Sequence, residues 1–302
     1  MTGAVEVIRP GPLALIEDEG RFGSAHLGVG RSGAADRGSL AQANLLVGNR
    51  PGSAAIECTL GGLALRARGN LLVAVTGAPA AMEFDRVRQP HATAVELRSG
   101  VTLVLRSPRS GLRSYLAVRG GIDVGPVLGS RSTDTLSGLG PAPLAAGDVL
   151  AVGPDPEELV PAAGSVMPQH FPSLVELRVT LGPRNDWFRR PGDLTVGEWV
   201  VSSQSNRVGL RLDRPGPDEN ATVAPILAPD SLRELPSEGV VLGSIQIPPS
   251  GQPVLFLADH PVTGGYPVVA VVLDRDIDLA GQARPGNLLR FNSFPSDHLS
   301  LG

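Results

Sequence analysis

Thirty-eight glycines and 28 prolines interrupt this chain of 302 residues, and between them the apolar residues come in short runs of Val, Leu and Ile. Proline ends helices and glycine supplies the positive φ angles that tight turns need, so this texture predicts many short strands and disfavours a helical bundle. In the first half "VEVIRPG", "LALRARG", "LLVAVTG", "TAVELRSG", "VTLVLRS", "SYLAVRGG" and "DVLAVG" read as strands. In the second half "LVELRVTLG", "EWVVSSQS", "VGLRLD", "GSIQIP", "PVLFLAD", "PVVAVVLD" and "NLLRFN" do. Few helices are expected. The clearest is "SLAQANLLVGN", with Ser39 as cap and Gly48 as stop, and "GPRNDWF" reads as one short helical turn.

The stretch "GPDPEELVPAAGSVMPQHFPS", residues 153–173, has five prolines and no period. It reads as a linker between two β-rich units, 1–160 and 170–302. Each unit has a tight Gly-Asp or Gly-Asn turn before its last strand, "AAGDVLAVG" and "RPGNLLRFN", which points to a duplicated barrel.

Other totals narrow the function. No apolar run approaches the roughly 20 residues of a membrane helix, and the first residues carry no pattern of a secretory leader, so a cytoplasmic chain without a membrane partner is expected. A net charge of -4 argues against nucleic acid as the main partner. The single cysteine, Cys58, has no second thiol to pair with and reads as a core residue. All 26 basic residues are arginine. Without lysine the chain has no Schiff base, no lysine of a Walker-type phosphate loop and no residue to carry biotin.

Polar residues concentrate beside glycines in four places. "GRFGSAHLGVGRSGAADRGS" holds His26, Arg31, Ser32, Asp36 and Arg37. It can be a serine-hydrolase constellation, an anion-binding loop before a helix, or a structural loop. "SSQSNRVGLRLDRPG" read as a strand puts Ser203, Ser205 and Arg207 on one side, with Arg207 free for a carboxylate or phosphate or for a salt bridge. "PSEGVVLGSIQIPPSGQP" has Glu238 in a turn and Gln246 inside an apolar strand, where a buried amide needs partners. "ADHPVTGGYP" puts Asp259 at a strand end, seven residues before Tyr266. There Asp259 either faces a ligand or closes the turn, and His260 reads as an exposed turn residue.

Taken together, "GVGRSGAADRGSLAQANLLVGN", "SGLRSYLAVRGGIDVGPVLGSRSTD", "SNRVGLRL", "SEGVVLGSIQIPPSGQPVLFLADHPVTGGYP" and "ARPGNLLRF" resemble the biotin-dependent carboxyltransferase, or allophanate hydrolase subunit 2, family. That family includes the C-type subunit of 5-oxoprolinase, Kip-type regulators of a sporulation kinase, and the C-terminal part of the urea carboxylase carboxyltransferase domain. The resemblance covers nearly the whole chain. It departs at Asn206, where the family pattern has Asp, and at His260, where it has Arg.

The resemblance implies a mainly β fold of two cyclophilin-like β-barrel domains and a site completed by a subunit 1-like partner. The reading that follows is a subunit of ATP-dependent 5-oxoprolinase, inactive alone. Its expected partners are the B-type 5-oxoprolinase subunit, a subunit 1-like carboxyltransferase protein, and the A-type, LamB/YcsF-like one. ATP enters at the level of the complex, and no biotin is attached to this chain. The alternatives are the carboxyltransferase part of a biotin-dependent urea or amide carboxylase, and a non-catalytic regulator that binds a kinase inhibitor. The catalytic candidates are Asp259, to orient or deprotonate an amide N–H, Tyr266, to donate to a carbonyl oxygen, and Glu238. Substrate-binding candidates are Arg207, for a carboxylate or carboxyphosphate, with Gln246, Thr263, Gly264, Gly265, His26, Arg31, Ser32 and Asp36. No metal is expected.

Overall fold

The computed structural model describes residues 3–156, 164–216 and 234–294. The chain divides into two compact units, Met1–Ser24 with Arg31–Phe171, and Ala25–Gly30 with Pro172–Gly302. This grouping differs from the sequence-based one in taking Ala25–Gly30 into the second unit. Residues 157–163 of the expected linker lie outside the described residues. Its later part belongs with the first unit, where Ser165 bridges to Thr93 and the Val166 N–H donates to the Ala92 carbonyl at 3.0 Å.

Both units are mainly β, as the glycine and proline spacing predicts. The first unit has a six-stranded sheet in the order Val149–Ala151, Ala4–Arg9, Ala64–Arg68, Thr102–Leu105, Met82–Phe84, Val87–Gln89. A five-stranded sheet runs Leu13–Glu17, Ala55–Thr59, Arg113–Val118, Leu71–Gly77, Val95–Leu97. Neighbours pair antiparallel. Alternation along the strands sends Val5, Val7 and Leu65 of one sheet and Ile16, Ile56, Val73 and Leu116 of the other into one core.

The outer face of the five-stranded sheet is built from small residues, Ala55, Ala74 and Ala117, around Tyr115. They admit the Arg37–Leu46 helix, whose Leu40, Ala43 and Leu46 cover that face. The helix begins three residues earlier than a Ser39 cap indicates, and its cap is Asp36. The Asp36 carboxylate accepts from the Ser39 N–H at 2.8 Å and the Ser39 hydroxyl at 2.6 Å, so Ser39 is a donor inside the first turn.

Tyr115 ties this helix start to the sheet. Its hydroxyl donates to Glu57 at 2.7 Å and accepts from the Asp36 N–H at 2.8 Å, while Arg113 sits 3.2 Å from the other Glu57 oxygen. Burial, with the charges of Glu57 and Asp36, drives the Tyr115 phenol well above its ordinary value, so it stays a neutral donor. Cys58 is in the core, and burial pushes its thiol up to about 11. A thiol reagent at pH 8 is predicted to leave the native protein unmodified and to label Cys58 stoichiometrically in urea; rapid native labelling would contradict the burial.

The second unit is a closed barrel in the order Leu174–Leu181, Val268–Val272, Ser244–Gln246, Val254–Phe256, Gly209–Asp213, Trp199–Val201, Leu288–Ser293. The first and last strands close it by pairing parallel. Leu177, Trp199, Leu212, Ile245, Leu255, Val269 and Phe291 fill it, and the Trp199 indole donates to the Leu194 carbonyl at 3.0 Å. A two-stranded pair, Glu238–Gly239 with Thr263–Gly264, stands apart from it.

Among the described residues the last strands of the two units pair differently: Val149–Ala151 is a sheet edge, whereas Leu288–Ser293 has a neighbour on each side. Among the described residues no helix is long and apolar enough to cross a membrane.

Candidate functional site

Residues 202–208 form the turn between strands Trp199–Val201 and Gly209–Asp213, not the alternating strand expected there. Asn206 explains the turn: its side-chain oxygen accepts from the N–H groups of Val208 at 2.8 Å and Gly209 at 3.3 Å. Arg207 is thereby turned inward, where it is 2% exposed and meets Asp259, 1% exposed, in the turn that follows strand Val254–Phe256. Arg207 Nε donates to Asp259 Oδ2 at 2.9 Å and Nη2 to Oδ1 at 3.1 Å, and the Asp259 N–H donates to the Arg207 carbonyl at 3.0 Å. The two side chains bind each other through two parallel contacts, which for Arg207 is the salt bridge that the sequence left open beside a ligand carboxylate or phosphate. The pair fixes the two adjacent loops.

From that anchor the chain runs through His260, whose ring stacks near Phe256 at 6.0 Å between centroids, to the Thr263–Gly264 strand. Pairing places Glu238 opposite Gly264 and Gly239 opposite Thr263. Val240, Phe256 and Val268 make a small apolar cluster of their own. Gln246 lies at a register shift between Ile245 and Gln246, which re-aims its amide. The amide donates to the Tyr266 carbonyl at 2.9 Å and packs so close to Gly264 that a Cβ there would fall 2.4 Å from Gln246 Nε2. Thus Glu238, Gln246, Thr263, Gly264 and Tyr266, read from two separate motifs, do converge.

Gly264→Ala is predicted to push the Gln246 amide off the Tyr266 carbonyl and cost about 1–2 kcal/mol, read as a lower urea midpoint. A wild-type midpoint would contradict this contact.

Arg184, unmarked in the sequence beyond its place in "GPRNDWF", completes the cluster. Its N–H donates to the Val268 carbonyl at 3.1 Å, and its guanidinium donates to Glu238 from Nε at 3.1 and 3.0 Å and from Nη2. This hydrogen bonding holds the Glu238 carboxyl below its ordinary range, so at neutral pH Glu238 is an ionised acceptor and a weak base. The Tyr266 side chain is 48% exposed and Thr263 is exposed beside it. The face therefore presents two hydroxyls, a carboxylate–guanidinium pair and a backbone that two glycines leave open, a set suited to a planar amide with its carbonyl and N–H edges.

The 20–39 motif separates. His26 is exposed on the Ala25–Leu27 turn, in the segment that joins the second unit, where Gly30 lies so near the His260 carbonyl that a Cβ would stand 2.9 Å from it. In the first unit, Arg31 Nε donates to the Glu19 carbonyl at 3.0 Å and its guanidinium covers the Phe22 ring at 4.1 Å. Ser32 is buried at φ 54°, its hydroxyl donating to the Thr133 carbonyl at 3.2 Å, and Asp36 caps the helix. Ser32 and Asp36 thus each have a structural contact within the first unit, with Thr133 and with the start of the helix. Among the described residues no group of three or more His, Cys, Asp or Glu is placed to hold a metal.

Comparison with known proteins agrees with this architecture. The chain is 35% identical to the C-type subunit of the Escherichia coli 5-oxoprolinase over 295 residues, spanning 95% of this chain and 90% of that protein. It is 33% identical over 312 residues to the urea amidolyase of Saccharomyces cerevisiae, spanning 95% of this chain and 16% of that protein. The crystal structure of the K. lactis urea amidolyase matches with a TM-score of 0.84 at 30% identity, over 97% of this chain and 19% of that one. A family model described as the carboxyltransferase domain, subdomains A and B, matches residues 27–293, and the chain belongs to that family.

Proposed function

We propose that this chain is the C-type subunit of an ATP-dependent 5-oxoprolinase, which opens the 5-oxoproline lactam to glutamate. The observation that carries the reading is the match to the C-type subunit of the E. coli enzyme over 90% of that protein's length. The urea amidolyase match occupies a small part of a much longer protein. The geometry supports it: the lactam is a planar amide with a carboxylate, and the Tyr266 face offers a hydroxyl for the carbonyl, Glu238 as acceptor for the N–H, and Arg184 for negative charge.

Among the described residues of this face the two carboxylates are both engaged, Asp259 by Arg207 and Glu238 by Arg184. That favours a site completed by a partner of the subunit 1 type, together with a LamB/YcsF-like protein; ATP binds at the level of the complex. In this scheme the chain binds and orients the lactam and stabilises the oxygen that becomes negative as the ring opens. The test is substrate choice by the co-expressed complex. ATP-dependent glutamate from 5-oxoproline, with no turnover of urea, is expected. Turnover of urea that depends on bicarbonate and a biotin carrier would replace this reading by the urea carboxylase one.

A further inference from the structure

The glycine-rich stretch that begins the 20–39 motif surrounds an arginine with more donors than acceptors. Arg21, in the first unit, is 2% exposed. Its N–H donates to the Arg31 carbonyl at 2.6 Å, and Nη2 donates to the carbonyl of Ser132. Among the described residues Nε and Nη1 meet no hydrogen-bond acceptor, and the buried hydroxyl of Thr133 has no hydrogen-bond partner. The Ser132 carbonyl that Nη2 meets belongs to the peptide that joins Ser132 to Thr133.

The surrounding backbone is fixed. The Thr133 N–H donates to the Ile16 carbonyl at 2.9 Å, and the Thr133 carbonyl accepts from Ser32. Asp18 is already committed to the Gly20 N–H at 2.8 Å and to the Arg131 N–H and the hydroxyls of Ser130 and Ser132, each at 2.6 Å. Gly140, at φ +88°, makes room for the side chain: a Cβ there would stand 2.7 Å from Arg21 Nη2 and 2.0 Å from the Ser132 carbonyl oxygen.

A guanidinium keeps its charge at any physiological pH, and burying it with unmet donors is costly. The groups left over, Nε–H, Nη1–H and the Thr133 O–H, are all able to donate. They match an anion that presents carboxylate-like acceptor oxygens. We propose that Arg21 and Thr133 form a buried binding site for a small oxoanion of the carboxylate or bicarbonate type, independent of the reaction proposed above.

The test uses the purified full chain. Its melting temperature is followed as formate or bicarbonate replaces chloride at constant ionic strength, and the same formate titration is repeated by calorimetry. A saturable rise is expected with formate, bicarbonate or both, and which of them acts separates the two sources. Arg21→Met should abolish the response, while Thr133→Val should raise the half-saturating concentration about 10-fold, the usual scale for one hydrogen bond to a charged group. If Arg21→Met does not fold, the calorimetric comparison of wild type with Thr133→Val decides. No saturable response in the wild type would overturn the proposal, and would place the balancing charge within the chain, with Glu17 the nearest buried acid in sequence. A response that Arg21→Met shares, or one that Thr133→Val leaves unchanged, would overturn it as well.

Discussion

Asp259→Asn is expected to destabilise the second unit by about 3 kcal/mol or more, because it leaves the Arg207 guanidinium buried and uncompensated. The substitution keeps the size of the side chain, so cavity formation contributes little. Arg207 cannot shed its proton to escape the penalty. Replacing both residues, Arg207→Met with Asp259→Leu, removes both charges and should cost less than Asp259→Asn alone. Urea denaturation of the three variants measures this directly. The opposite pattern, wild-type stability with turnover of the complex reduced about 100-fold, would restore Asp259 as an acid or base at the site.

Tyr266→Phe should behave the other way round. Half-exposed, the side chain contributes little to packing, so stability should stay within about 0.5 kcal/mol of wild type. If the hydroxyl donates to the lactam oxygen as charge develops there, turnover of the assembled complex should fall about 100-fold, the usual scale for one such donor. Both quantities are read on one preparation, by thermal melting and by glutamate release. Unchanged turnover would remove Tyr266 from the chemistry and leave its carbonyl, held by Gln246, as its only role.

The strands that sequence pattern locates are those where an apolar run is bounded by Gly or Pro, such as Leu71–Gly77 and Leu174–Leu181. Ala55–Thr59 escapes because Glu57 interrupts its apolar character, and the reason for a buried carboxylate there, Tyr115, lies 58 residues away. The same distance in sequence hides the site's pairings. Arg207 and Asp259 both stand out in their motifs, but their mutual bond spans 52 residues, and Glu238 finds Arg184 across 54. Local composition shows that a group is polar and set beside glycines; only the closed barrel decides whether its partner is a ligand or another side chain.

The helix cap shows a similar limit on a shorter scale. Asp36 and Ser39 are both good capping residues, and the choice of Asp36 follows from Tyr115 holding its N–H in place. His26 shows the limit for unit boundaries: nothing in "GSAHLGVG" marks the six residues that group with the second unit.

The central claim, that this chain supplies one part of a multi-subunit lactam-opening site, meets its most direct test in an omission experiment. The chain is purified alone, its co-expressed subunit 1-like and LamB/YcsF-like partners are purified without it, and glutamate formed from 5-oxoproline and ATP is measured for each and for the mixture. The account predicts no glutamate from either preparation alone and ATP-dependent glutamate from the mixture. Equal glutamate from the partners without this chain, or turnover by this chain alone, would contradict it.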